Sequence, residues 1–270
     1  MNEGSSPIWV LLRGLSRESG HWGQFPAILR EELQAQQPGA RLLMLDLPGN
    51  GRHHHETSPT QVAAIVEFCR AELSRLGVRQ PVHLLAMSLG AMVTSDWATR
   101  YPQEISAAVL INTSLKPFRA VYRRPHPFNY LALMLLSLTR LGLRRREARV
   151  LNLTTRMLPQ PGTVLDDWVE LQRKHPTGLR NTVRQLLAGT RYRASRVRPT
   201  VPLLLLCSQA DALVDWRCSQ AISRAWGAPL RLHTQAGHDL PLDDGLWVAR
   251  AVRDWLGAQQ LQQLQQTQTA

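Results

Sequence analysis

Short apolar runs alternate with helix-like periodicity along most of this chain. Residues 8–12, 42–45, 82–87, 107–111, 203–207 and 230–233 are nearly continuous apolar stretches of strand length. Between them, 23–36, 58–76 and 89–100 carry apolar positions three and four residues apart, the spacing of one helix face. Strands apolar on both faces, separated by helices, predict an α/β fold: a mostly parallel sheet of about six strands flanked by helices. Ser58 before Pro59 predicts an N-cap with proline in the first turn, and Gly77 predicts a helix stop.

The alternation lapses after Asn112. From Phe118 to Arg196 the pattern is helical, with prolines at 125, 127, 159, 161 and 176, and strand rhythm resumes at Leu203. This predicts a core of 1–115 and 199–258 and a helical lid (cap) of 116–198 inserted before the last two strands. A final helix over about 247–256 would lead into a flexible glutamine-rich tail, 259–270. No internal repeat is visible.

Composition narrows the class. With 270 residues, 44% of them hydrophobic, the chain can bury one sizeable core. Cys69, Cys207 and Cys218 lack metal-ligand spacing; Cys69 and Cys207 lie in apolar patterns as core thiols, and a reducing cytoplasm is the expected compartment. The first residues lack a basic stretch ahead of their apolar run, so no secretory signal is expected. The longest uncharged run, 125–139, is shorter than the roughly 18 apolar residues a membrane span needs. A soluble protein is expected.

The net charge of +12 suggests nucleic acid until it is mapped. Residues 116–198 hold 18 basic side chains against four acidic ones, and the remainder is slightly acidic. Thirty of the 32 basic residues are arginine, a bias that genomic base composition explains as well as recognition does. No zinc-finger, RNA-recognition or phosphate-loop pattern accompanies it, so no nucleic-acid partner is expected. His53-His54-His55 looks like a metal tract, but consecutive loop histidines cannot all face one ion and no acidic or cysteine cluster joins them. No metal or cofactor is implied.

The chemistry concentrates at three strand ends. The run 82–87 meets Ser88 inside Ala86-Met87-Ser88-Leu89-Gly90, a form of the Gly-x-Ser-x-Gly turn that lifts a serine hydroxyl clear between strand and helix. The turn needs small neighbours, which Ala86 and Gly90 supply. A nucleophilic serine needs a base, and the base needs an orienting acid. Asp211 follows the strand 203–207, and His238 follows the strand 230–233.

These motifs, in the chain order serine, acid, histidine, resemble the alpha/beta-hydrolase-fold serine esterase family over nearly the whole chain, 8–256. Asp46-Leu47-Pro48-Gly49-Asn50-Gly51 is similar to that family's Asp-x-Pro-Gly-x-Gly loop. The resemblance implies a Ser88–Asp211–His238 triad that cleaves carboxylic esters of small or medium acyl substrates through an acyl-enzyme. It implies an oxyanion hole from the amides of Leu89 and Leu15. Family members usually have His-Gly in the latter loop, where this chain has Arg13-Gly14-Leu15. Gly14, Trp22, Met87 and Leu213 are the expected pocket residues.

Alternatives stay open at this stage. Asp215 is a second candidate acid. Asn112 stands where some relatives carry the acid but cannot serve as one. Asp239 and Asp243 read as solvated or capping groups. Thioester, lactone, amide or carrier-linked ester substrates fit the same triad, as does a non-catalytic binding module. Aspartate at position 88 would be needed for dehalogenase or epoxide hydrolase chemistry. In the lid, the apolar run 128–136 and Arg140, Arg144, Arg145 and Arg146 suggest an acyl-covering helix and weak contact with an anionic membrane surface or an acidic carrier protein. The oligomeric state is left open.

Overall fold

A computed structural model describes residues 6–118 and 142–268. Six parallel strands form one sheet in the order β2-β1-β3-β4-β5-β6. They are β1 (Ile8–Leu12), β2 (Arg41–Leu45), β3 (Val82–Met87), β4 (Ile105–Ile111), β5 (Leu203–Ser208) and β6 (Leu230–His233). Each lies within two residues of the run predicted for it.

Alternation within the strands builds two cores. Val10, Leu12, Leu84 and Leu205 face one side, with α2 (Val62–Arg75), α3 (Leu89–Arg100) and α7 (Arg217–Trp226). Trp9, Leu11, Leu85 and Leu206 face the other, with α1 (Phe25–Leu33) and α8 (Gly245–Gln268). Between β4 and β5 lie α4 (Leu143–Thr154), α5 (Pro161–Lys174) and α6 (Leu179–Arg191), the described part of the expected lid. The apolar run 128–136 and Arg140 lie outside the described residues.

Local signals fared unevenly. Gly77, at φ +75°, ends α2 as expected: its N–H reaches Ser74 O and that of Val78 reaches Leu73 O, the paired bonds of a Schellman stop. Ser58 does not cap α2, which starts after Gln61. Its hydroxyl is buried and donates to Pro48 O at 2.5 Å. The last helix does not end near Leu256 but continues to Gln268, because Gln and Leu are good helix formers and no proline interrupts them. Among the described residues no helix is long and apolar enough to cross a membrane.

The sheet order reverses direction between β1 and β3. At such a switch point the loops leaving the carboxyl ends diverge and open a crevice. Gly14 follows β1 there, and Ser88 follows β3.

Candidate active site

Ser88 sits at φ +54° and ψ −116°, a region that costs a residue with a side chain about 1–3 kcal/mol. The fold holds it there from both sides. Its N–H donates to Ile111 O at 2.9 Å, and its carbonyl accepts from the Thr113 hydroxyl at 3.1 Å. Gly90 lets α3 pass under the β1 loop: a Cβ on it would stand 2.6 Å from Leu12 O and 2.7 Å from Arg13 O. Ala86 is fully buried in register with Leu12. The sharp strand-to-helix turn read from the sequence is present.

Asp211 and His238 meet across the next loops. The Asp211 carboxylate is 2.7 Å from His238 Nδ1, with 1% of the acid's side chain exposed. Its other oxygen accepts from the N–H groups of Leu213 and Val214, at 2.7 and 2.9 Å. The carboxylate is thus aimed by its own loop. Asp215 instead accepts from the Arg217 N–H at 2.9 Å, at the start of α7. His238 and Ser88 line one cavity of about 110 Å³, although no hydrogen bond joins their side chains among the described residues.

Asn112, excluded as an acid by its chemistry, is a strut. Its amide nitrogen donates to His238 O at 2.8 Å and to Ser208 Oγ at 3.0 Å, and its oxygen accepts from the Ser208 N–H at 2.8 Å. The histidine loop is also tied to the lid, through Asp239 N–H to Thr154 O at 2.8 Å. Asp243 accepts from the N–H groups of Gly237, Arg156 and Met157, and burial raises its carboxyl above the ordinary range despite those bonds. Asp243 is neither solvated nor a helix cap: it ties the loop after α4 to the histidine loop. Asp239 is not solvated, because it pairs with Arg13.

The cavity wall includes Gly14, Met87 and Leu213, three of the four residues the sequence marks for a pocket, and Leu15, marked as an oxyanion donor. Gly14 lies so close that a Cβ there would be 3.0 Å from Ser88 Cβ. The amides of Leu15 and Leu89 have no acceptor among the described residues, and Leu89 is the first residue of α3, where helix geometry leaves N–H groups unused. Trp22 is a correction. It lies outside the wall, in the core against Phe25, because Arg13 comes between: the guanidinium covers its ring at 4.8 Å. The wall also includes Arg13, Ser16, Arg17, Arg146, Glu147, Val150, Gln172, Thr182 and Asp239, which the sequence does not mark as pocket residues.

The histidine tract braces its own loop and packs it on α2, where His53 lies edge-on to Phe68. His53 Nδ1 lies 2.8 Å from Glu56, and His54 Nδ1 lies 2.8 Å from Gly51 O. Among the described residues no cluster of three or more His, Cys, Asp or Glu side chains is arranged to hold a metal ion.

Comparison with known proteins agrees with the strand order and the elbow. The model of the alpha/beta hydrolase family matches residues 9–251. The chain belongs to the alpha/beta hydrolase family. It is 28% identical over 253 residues to the provisionally named carbamate hydrolase RutD of Cronobacter turicensis, covering 86% of this chain and 84% of that one. Over 113 residues it is 29% identical to a pimeloyl-[acyl-carrier protein] methyl ester esterase of Vibrio campbellii, covering 42% and 39%. Among solved structures, the enol-lactonase of Burkholderia xenovorans superposes with a TM-score of 0.74 at 17% identity, covering 95% of this chain and 94% of that one. Family membership, with the RutD and esterase relatives, supports a hydrolytic enzyme.

Proposed function

We propose that this alpha/beta hydrolase cleaves carboxylic esters of small or medium acyl substrates, with Ser88 as nucleophile. The observation that carries the proposal is the Asp211–His238 pair, 2.7 Å apart, whose imidazole shares a cavity with a serine held at φ +54°. His238 takes the hydroxyl proton as Ser88 attacks the acyl carbon. Asp211, bonded to Nδ1, keeps the other ring nitrogen free to accept and stabilises the imidazolium that forms. The oxyanion lies between the free amides of Leu15 and Leu89, where the amino end of α3 favours negative charge. His238 then returns its proton to the leaving alkoxide. Water activated by the same imidazole clears the acyl-enzyme.

The modest cavity volume of about 110 Å³ supports small or medium acyl groups. Hydrolysis of a chain-length series of p-nitrophenyl esters by wild type and Ser88→Ala tests the reading. Loss of at least about a thousandfold in kcat is expected in the variant, and equal rates would refute it. The RutD relative, similar over 86% of this chain, favours carbamates as a second substrate class. A panel pairing each ester with its carbamate, thioester and lactone counterpart ranks them. Arg145 and Arg149 stand exposed on α4 and support weak contact with an acidic carrier or an anionic surface. Such contact would weaken as salt rises toward 1 M.

A further inference from the structure

We propose that the substrate carries a carboxylate on its acyl chain, held in the cavity by Arg17 and Arg146. The inference rests on the ester-hydrolase reading above and names its substrate class.

Among the described residues, three positive and two negative side chains contribute to the cavity wall besides His238: Arg13, Arg17 and Arg146 against Glu147 and Asp239. Arg13 and Asp239 satisfy each other through two bonds, of 3.0 and 2.5 Å. This leaves two guanidinium groups facing one carboxylate. Glu147 is buried and braces both: one oxygen accepts from Arg17 at 2.7 Å and the other from Arg146 Nε at 3.4 Å. Arg17 is further fixed by lying over the Trp168 ring at 4.2 Å. His21 Nε2 lies 2.9 Å from Arg17 Nη1, and burial and the adjacent arginines hold its imidazole well below its ordinary range.

Arg146 is the less satisfied partner. Both of its bonds, to Glu147 and to Gln172 Oε1, are 3.4 Å long, while two-thirds or more of its side chain is buried. A plain alkyl chain closing over these donors would remove their water and return nothing. A carboxylate accepts from both arginines and balances the surplus positive charge, since the guanidinium fork suits planar oxyanions. Leu15, Met87, Val150 and Leu213 offer apolar wall for the methylenes between that carboxylate and the scissile ester.

Monomethyl glutarate and dimethyl glutarate share one acyl chain and differ in the terminal charge. Their kcat/KM values, read by pH-stat titration in low salt, give a selectivity ratio. Wild type is expected to prefer the monoester by about tenfold or more, the range for a charge-assisted pair. Arg146→Ala should bring the ratio near unity, and Arg146→Lys should restore part of it. Equal rates on both esters in wild type would overturn the anion site while leaving the ester-hydrolase reading intact. So would an unchanged ratio in Arg146→Ala. If neither ester is cleaved, calorimetric titration of wild type with glutarate decides the anion site separately. Binding that Arg146→Ala weakens about tenfold sustains it, and no binding overturns it.

Discussion

Arg13 and Asp239 form a two-bond ion pair across 226 residues of chain, with 3% and 4% of their side chains exposed. Arg13 immediately precedes Gly14 in the β1 loop, and Asp239 immediately follows His238. The pair therefore fixes the loop carrying one oxyanion amide against the loop carrying the imidazole. Arg13→Met leaves a buried carboxylate unpaired and should cost about 3–5 kcal/mol, whereas Arg13→Met with Asp239→Leu should recover most of it. A double-mutant cycle by urea denaturation gives the answer. Additive losses in the double variant would mean that the pair is not coupled as drawn.

Asn112 supports the same loop from the sheet side. Asn112→Ala removes donors to His238 O and Ser208 Oγ and should lower kcat by about 10–100-fold, with KM nearly unchanged. Because Asn112 acts by positioning, the pH–rate profile should also change if the imidazole shifts relative to Asp211. A stability loss with wild-type kcat would confine Asn112 to a structural role.

Gly90 and Gly162 form a matched pair of tests for the elbow. A Cβ at Gly90 meets backbone oxygens at 2.6 and 2.7 Å, while one at Gly162 meets nothing within 4 Å. Gly90→Ala should destabilise by about 3 kcal/mol and impair activity. Gly162→Ala, in the first turn of α5, should be neutral or stabilising by up to about 1 kcal/mol. Thermal midpoints separate the two.

Much of this arrangement was legible because it is local. Fully apolar strands announce a sheet covered on both faces, and the serine, acid and histidine each follow a strand within a few residues. What escaped depends on long-range pairing. Asp239 reads as a solvated loop acid until Arg13 is folded against it. Glu147 lies in an arginine-rich helix that reads as a solvated face, yet Arg17 from the β1 loop and the adjacent Arg146 turn it into buried wall. Ser58 has the residue type and following proline of a helix cap, but a tertiary acceptor, Pro48 O, claims its hydroxyl. Trp22 follows a family position that here lies behind an arginine, so its ring cannot reach the cavity.

Acid should weaken the fold through buried histidines. His83 stacks on Trp9 with ring centroids 4.8 Å apart, and burial pushes its imidazole down to about 4. An unfolded histidine titrates near 6.5, so above that pH neither state is charged and stability is complete. Between about 6.5 and 4 the unfolded chain takes up a proton that the folded chain refuses, and stability falls by about 3 kcal/mol in all. His21, lowered for the same reason, adds loss of the same sign. His83→Phe keeps the stacking and should flatten the slope by one proton, as urea midpoints across that range would record. An unaltered slope would place the titration elsewhere.

The central claim is that Ser88 is the nucleophile activated by His238. A fluorophosphonate probe followed by peptide mass mapping tests it most directly. One probe per chain, on the peptide holding Ser88, is expected in wild type, with no labelling of Ser88→Ala and labelling slowed at least about a hundredfold in His238→Ala. Labelling at another residue, or at equal rate in His238→Ala, would contradict it.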